Sequence, residues 1–392
     1  MKGYFRKRGD TWSYTIDIGI KPETGDRDQK TKGGFRTKKE AQLAAAVLMQ
    51  ELDRGSYVKE IEVLFKDYTA EWLMLYQNTG RVKITTIDIR KYGISKLTPY
   101  FAHKKIKEIT RRMYQGALND LSISGYTIGT LRAINSTGRM LFKKAVELGY
   151  IKVDPTHYAV VPKTQKTVEE IEEEIEIPKY LEKEELTIFL DTARRKGLDS
   201  DYLVFKLLAY SGIRLGELCA LMWKDIDFEN HTISITKTYY NKDYKATSYT
   251  LLTPKTRKSK RTIAIDVSVL EELEKHKALQ NIYKMEHRDN YYPKDFIFIN
   301  KTKYPGYPRP LKLFEDRMTR ILKLAKLNEN LTPHSLRHTH TSLLAEAGVG
   351  LEEIMERLGH ADDEVTRMVY MHVTKTMKKE ASQKFSELMR SL

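Results

Sequence analysis

The spacing of apolar residues changes along the chain. At the front, Trp12, Tyr14, Ile16 and Ile18 alternate with Ser13, Thr15 and Asp17, the period-two rhythm of a half-buried strand. A turn cluster, Lys21 to Asp26 with Pro22 and Gly25, separates it from a second strand running to Phe35. Thr37 and Glu40 then form a capping-box pair ahead of a helical stripe of Ala41, Ala44, Ala45, Leu48 and Leu52, which Gly55 stops. From 61 to 160 the pattern is helical throughout. Phe65, Tyr68, Trp72 and either Leu75 or Tyr76 share one face. The last helix runs from a Thr127 cap along Ile134, Gly138, Leu141, Ala145 and Leu148 to Gly149.

Residues 162–178 read as a linker, with Pro162 and Pro178 bracketing an acidic run from Glu169 to Glu176 that contains Ile171, Ile175 and Ile177. The remainder, 179–392, is mainly helical with a β-rich insertion. A helix over Leu203–Tyr210 ends at Ser211-Gly212, and another runs from Leu215 to Trp223. Thr232 to Ile235 opens a strand, and Tyr239–Tyr249 is a polar excursion. Strands at Tyr249–Thr253 and Thr262–Ile265 form a hairpin whose tip carries Lys255. Ala381, Phe385, Leu388 and Met389 form a stripe in a C-terminal tail helix, Met377–Leu392. The expected fold class is multidomain, mainly α with small β elements: a unit over 1–56, a helical domain over 61–161, the linker, and a mixed α/β domain over 179–392.

Charge sharpens this picture. The 392 residues carry a formal charge of +15 despite 53 acidic side chains, and nucleic acid is the default partner of so basic a protein. The segment 61–160 alone holds sixteen basic and eight acidic residues. Arg132, Arg139 and Lys143 share the outer face of its last helix and suit contact with a DNA backbone. The front strands carry Arg6, Lys7, Arg8, Lys30, Lys32 and Arg36, which fit either a solvated sheet or a sheet face lying in a DNA groove. The single cysteine, Cys219, excludes an internal disulfide and fits a reducing compartment. Arg6, Lys7 and Arg8 lead into alternating polar residues rather than an apolar leader, and no run reaches the roughly 20 apolar residues of a membrane span. A cytosolic, nucleoid-associated protein without a membrane partner is expected.

Six residues carry the chemistry. Phosphodiester transfer needs two guanidiniums to clamp the non-bridging oxygens, an in-line nucleophile, and a proton donor for the departing oxygen. Arg214 stands in Tyr210-Ser-Gly-Ile-Arg-Leu-Gly-Glu217 at a helix N-terminus, where Glu217 can orient it. Lys255 stands in Thr253-Pro-Lys-Thr-Arg-Lys-Ser-Lys-Arg261, which fits either a solvated basic loop or a lysine placed as a general acid, with Arg257, Lys258, Lys260 and Arg261 on backbone phosphates. His334 and Arg337 are one helical turn apart, the helix being capped by Thr332 with Pro333 in its first turn. A guanidinium in so apolar a helix calls for an anion. His360 follows Gly359 at the end of a helix over Leu351–Leu358, and Tyr370 lies ten residues on. Although His334, His338, His340, His360 and His372 cluster in sequence, no Cys or acidic ligand joins them, and the arginines repel a cation. With no Gly-rich phosphate loop either, no cofactor is expected.

Ser211-Gly-Ile-Arg-Leu-Gly-Glu217, Thr253-Pro-Lys-Thr256, His334-Ser-Leu-Arg-His338, Leu358-Gly-His360 and Tyr370-Met-His372 together resemble the tyrosine recombinase, or phage-type integrase, family over essentially the whole chain. The resemblance implies that Arg214, Lys255, His334, Arg337 and His360 activate a DNA phosphate and that Tyr370 is the nucleophile of a 3′-phosphotyrosyl intermediate. It implies a three-stranded sheet plus helix that binds arm-type DNA sites over 1–56, a core-binding helical domain over 61–161, and a homotetramer on double-stranded DNA. Accessory excision or DNA-bending proteins belong to the same expectation, and the front unit favours an integrase of a prophage, conjugative transposon or genomic island. A non-catalytic DNA-binding regulator and a type IB topoisomerase-like enzyme are the alternatives. The first leaves the six residues unexplained, and the front unit argues against the second.

Overall fold

The computed structural model describes residues 3–20, 25–53, 62–80, 82–163, 180–242, 245–254, 259–359 and 364–390. Gly55 and the 164–178 stretch of the linker lie outside them. The chain packs as two compact units, Met1–Glu172 and Glu173–Leu392. No helix of the described residues is long and apolar enough to cross a membrane.

In the first unit, β1 (Tyr4–Arg8), β2 (Thr11–Ile20) and β3 (Arg27–Phe35) form an antiparallel sheet in that order, and α1 (Lys38–Asp53) packs on one face. Tyr14, Ile16, Ala45 and Leu48 are the core, with Phe5 and Phe35 against it. The helix entry departs slightly from the expected capping box. Thr37 accepts from the Glu40 amide at 3.2 Å, but the Glu40 carboxylate takes the amide of Arg36 at 3.0 Å.

Strand register corrects the expected single basic face. Directly opposed residues of an antiparallel pair point the same way. Lys32 is opposite the buried Tyr14, Lys30 is opposite the buried Ile16, and Lys7 is in phase with Phe5. These three lysines belong to the helix-side face. Arg6 and Arg8 alternate onto the open face, with Ser13, Thr15 and Thr31, and Arg36 follows β3 on the approach to α1.

The helical part consists of α2 (Phe65–Asn78), α3 (Ile84–Phe101), α4 (Arg111–Ile123) and α5 (Ile128–Glu147). Phe65, Tyr68 and Trp72 are buried as their spacing predicts. Tyr76 rather than Leu75 completes their stripe, stacking on Trp72 at 4.8 Å while Leu75 stays exposed. Thr127 caps α5 by accepting from the Thr130 amide at 3.3 Å. Gly138 is required by close packing, since a Cβ there would lie 2.0 Å from the Tyr114 hydroxyl. Leu148 is corrected to an exposed position, because the helix has already ended and the chain turns away at Gly149 with φ of 76°. Arg132, Arg139 and Lys143 are exposed on α5.

The second unit comprises α6 (Lys183–Lys196), α7 (Asp201–Ser211), α8 (Leu215–Cys219), β4 (Ile226–Asp227), β5 (Thr232–Ile235), β6 (Thr238–Tyr240), β7 (Thr250–Leu252), β8 (Arg261–Ala264), α9 (Val267–Glu286), α10 (Leu311–Ala325), α11 (Ser335–Glu346), α12 (Leu351–Leu358) and α13 (Glu364–Arg390). Its main core gathers Phe189, Phe205, Leu208, Leu218, Ile233, Ile263, Phe314 and Leu336 among others. Three expectations change. The helix expected to run from Leu215 to Trp223 stops at Cys219, and the Met222 amide instead bonds the Asp225 carboxylate at 2.8 Å. The helix expected to be capped by Thr332 begins at Ser335, after His334. The strands flanking Lys255 do not form a hairpin: β7 pairs with β6, whereas β8 pairs with β5 in a separate sheet. The excursion between β6 and β7 is pinned by aromatics, with buried Tyr239 stacked on Tyr249 at 5.6 Å.

Candidate active site

The site is built on the turn Gly212-Ile213-Arg214. Gly212 ends α7 with φ of 63°, and a Cβ there would lie 2.6 Å from the His340 ring and 2.7 Å from the Leu358 side chain. Only glycine fits both the left-handed backbone and that close approach. Arg214 then caps the start of α8. Its backbone amide donates to Glu217 Oε2 at 3.0 Å and its guanidinium to Oε1 at 3.0 Å, so Glu217 orients Arg214 as its spacing predicted. The Arg214 side chain remains 37 % exposed.

Glu217 is buried and has a second cation. Arg261 donates to its Oε2 at 3.0 Å and its Oε1 at 3.3 Å. Burial pushes the carboxyl up. The Arg261 hydrogen bonds and charge, together with the Arg214 amide and guanidinium, outweigh that and hold it below its ordinary value. Arg261 was expected on a DNA phosphate, and this is corrected: its side chain is only 6 % exposed and is spent inside the protein. Strand alternation carried the signal, since Arg261 is in phase with the buried Ile263 and Ile265.

Arg337 approaches the same turn from α11. It is fully buried, and its two terminal nitrogens donate to the carbonyls of Gly212 and Leu358, the latter at 2.6 Å. Carbonyls at the C-terminal ends of α7 and α12, where helix dipoles favour a cation, hold its two terminal nitrogens. His334 sits one turn earlier, exposed, with its ring edge-to-face on His338 at 4.9 Å.

Leu358 also belongs to the core against which Tyr370 packs. That small core includes Ala345, Ile354 and Val373, and half-buried Tyr370 meets it from α13. The tail beyond Met377 continues the same helix as Tyr370 to Arg390 rather than forming a separate element. Lys255, Arg257, Lys258 and His360 lie outside the described residues, and Lys260 is exposed just before β8. The described residues thus bring Arg214, Arg337 and the Tyr370 helix around one turn and one leucine.

Sequence reasoning missed the support behind them. His340 is buried, with Nδ1 2.8 Å from the Ala209 carbonyl and Nε2 accepting from Arg357 Nε at 3.0 Å. Arg357 also reaches the Ala264 carbonyl at 2.9 Å. Burial first, and then the Arg357 charge, push the imidazole down to about 4, so it is neutral with its proton on Nδ1. Its position three and four residues after Arg337 and Leu336 was the available signal for burial.

The phage integrase family model matches residues 179–377, and models of an arm DNA-binding domain and of a phage integrase SAM-like N-terminal domain match 4–52 and 64–122. The integrase of Staphylococcus phage L54a is 32 % identical over 350 residues, covering 87 % of this chain and 98 % of that protein. The chain belongs to the phage integrase family. Among solved structures, the Tn1549 transposon integrase in complex with transposon right end DNA is similar, with a TM-score of 0.64 and 20 % identity, covering 82 % of this chain and 100 % of that one. A lambda integrase tetramer bound to a Holliday junction gives a TM-score of 0.54 at 18 % identity, covering 92 % of this chain and 96 % of that one. This integrase is a tyrosine recombinase, an enzyme that cuts and rejoins DNA in site-specific recombination to integrate and excise a mobile element.

Proposed function

We propose that Tyr370 is the nucleophile of this recombinase and that Arg214, Lys255, His334, Arg337 and His360 activate the scissile phosphate. The phenolic oxygen attacks phosphorus, a 3′-phosphotyrosyl bond forms, and the bond to the 5′-oxygen breaks. Lys255 delivers a proton to that oxygen, which leaves as a 5′-hydroxyl. Arg214 and Arg337 stabilise the charge on the non-bridging oxygens, His360 hydrogen-bonds one of them, and His334 assists at the phenol or the phosphate. A partner strand's 5′-hydroxyl reverses the step, so the bond energy is conserved without a nucleotide. The observation that carries this reading is the convergence of Arg337 and Arg214 on the two ends of the Gly212–Arg214 turn, with Leu358, beside that turn, in the small core against which Tyr370 packs.

The same reading divides the labour along the chain. Residues 1–56 take arm-type sites, 61–161 clamp the core site, 179–392 carry the chemistry, and four protomers assemble on two duplexes. The exposed Arg132, Arg139 and Lys143 on α5 and Arg6 and Arg8 on the open sheet face suit backbone contacts.

The test is a nicked suicide duplex carrying the attachment junction of the element that encodes the chain. Wild type is expected to accumulate a covalent protein–DNA adduct, and Tyr370→Phe to bind the duplex with unchanged affinity and form none. A persistent adduct in Tyr370→Phe overturns the assignment.

A further inference from the structure

Three successive carbonyls at the end of α12 and its cap are taken by side chains. Arg357 O accepts from Arg261 Nε at 2.8 Å, Leu358 O from Arg337 at 2.6 Å, and Gly359 O from Ser259 Oγ at 3.4 Å. These are the orphan acceptors that a helix C-terminus leaves, and two of the three donors are cations placed where the helix dipole favours them. Arg261 is the member that reaches furthest. Its Nε holds the end of α12, and its NH1 and NH2 fork onto both oxygens of Glu217, the carboxylate that orients Arg214. One buried guanidinium thereby couples the arginine at the start of α8 to the helix end that precedes His360.

We infer that Arg261 is a positioning residue for strand cleavage, which sets the Arg214 guanidinium through Glu217 and fixes it relative to the α12 terminus. This inference rests on the proposed role of Arg214. Arg214 gives Glu217 one guanidinium contact from a part-exposed side chain, and the planar fork of Arg261 on both oxygens supplies the geometry that this contact lacks. Loss of the fork leaves Glu217 free to follow Arg214 rather than direct it, and an ångström of misplacement at a reacting phosphate costs about 100-fold in rate.

The experiment measures single-turnover adduct formation by the full chain on the same suicide duplex, with either a phosphodiester or a neutral methylphosphonate at the scissile position. A neutral phosphorus centre has little need of a placed cation. Arg261→Gln is expected to retain DNA affinity and to form adduct about 100-fold more slowly on the phosphodiester, with most of that loss removed on the methylphosphonate. Arg261→Lys is expected to recover part of the phosphodiester rate. Equal rates for wild type and Arg261→Gln, an equal loss on both substrates, or a reduced amplitude at unchanged rate constant each overturn the inference. If Arg261→Gln does not fold by circular dichroism, Arg261→Lys decides through the same substrate comparison. A wild-type chain that forms no adduct on the phosphodiester condemns the assigned chemistry instead, which keeps the two failures apart.

Discussion

Arg214 and Arg337 meet at one turn and are held by opposite means. Arg214 stands at the start of α8, over a third exposed, against an ionised carboxylate. Arg337 lies wholly inside, between α7 and α12, on two neutral carbonyls. A carboxylate holds a part-exposed guanidinium by charge and a single hydrogen bond. Paired helix ends hold a buried one by geometry and make it part of the core. The same residue type in the same proposed role therefore combines chemistry with folding at one position and is nearly free of folding at the other.

The contrast is broken most directly at Arg337. Arg337→Met keeps much of the volume but strips donors from two buried carbonyls and unties α12 from α7. Each buried acceptor without a partner costs about 1–3 kcal/mol, so a loss of about 4 kcal/mol is expected in urea unfolding. A loss below about 1 kcal/mol would mean that the two carbonyls find other donors and that Arg337 is held no more firmly than Arg214.

The two arginines also show how far the sequence could be read. Arg214, Glu217 and their helix start were legible because a local i to i+3 contact needs only spacing and a glycine before it. Gly359 as the end of α12 and the inward face of α5 were legible for the same reason. What escaped is nonlocal. Nothing near Arg337 in sequence announces the carbonyls of Gly212 and Leu358 that hold its terminal nitrogens. Lys255 was placed on a hairpin because strands adjacent in sequence usually pair, whereas β8 returns to β5. Arg261 was lost among neighbouring lysines, although its phase with Ile263 pointed inward.

His340 sharpens the comparison through pH, because it supports the buried side of the site and not the exposed one. It is packed against Arg357 and Arg337, with its Nδ1 on the Ala209 carbonyl, and burial holds its folded value at about 4 against an ordinary 6.5. Between these values the unfolded chain binds a proton that the folded chain does not. The contribution is complete above pH 6.5, declines as pH falls, and is exhausted below about pH 4. The full span corresponds to about 3 kcal/mol. In His340→Asn, which preserves a donor towards Ala209, the slope of unfolding free energy between about pH 5 and 6.5 is expected to flatten. That window avoids the carboxylates. An unchanged slope there would assign the pH dependence to other groups.

The smallest stability effect is expected at Arg214, and it tests the other half of the contrast. Arg214→Ala removes one cation from Glu217 but leaves the Arg261 fork on both carboxylate oxygens, so no buried charge is stranded. A part-exposed guanidinium whose buried carboxylate keeps a second cation contributes little, and the cost in urea unfolding should stay within about 1 kcal/mol. Adduct formation on the suicide duplex should nevertheless fall about 1,000-fold, because a lost donor to a developing oxyanion acts only in the transition state. Measuring both on one preparation separates folding from chemistry. If Arg214→Ala unfolds as readily as Arg337→Met, the carboxylate at the α8 start is a keystone of the core. The exposed guanidinium would then be as much a part of the fold as its buried counterpart.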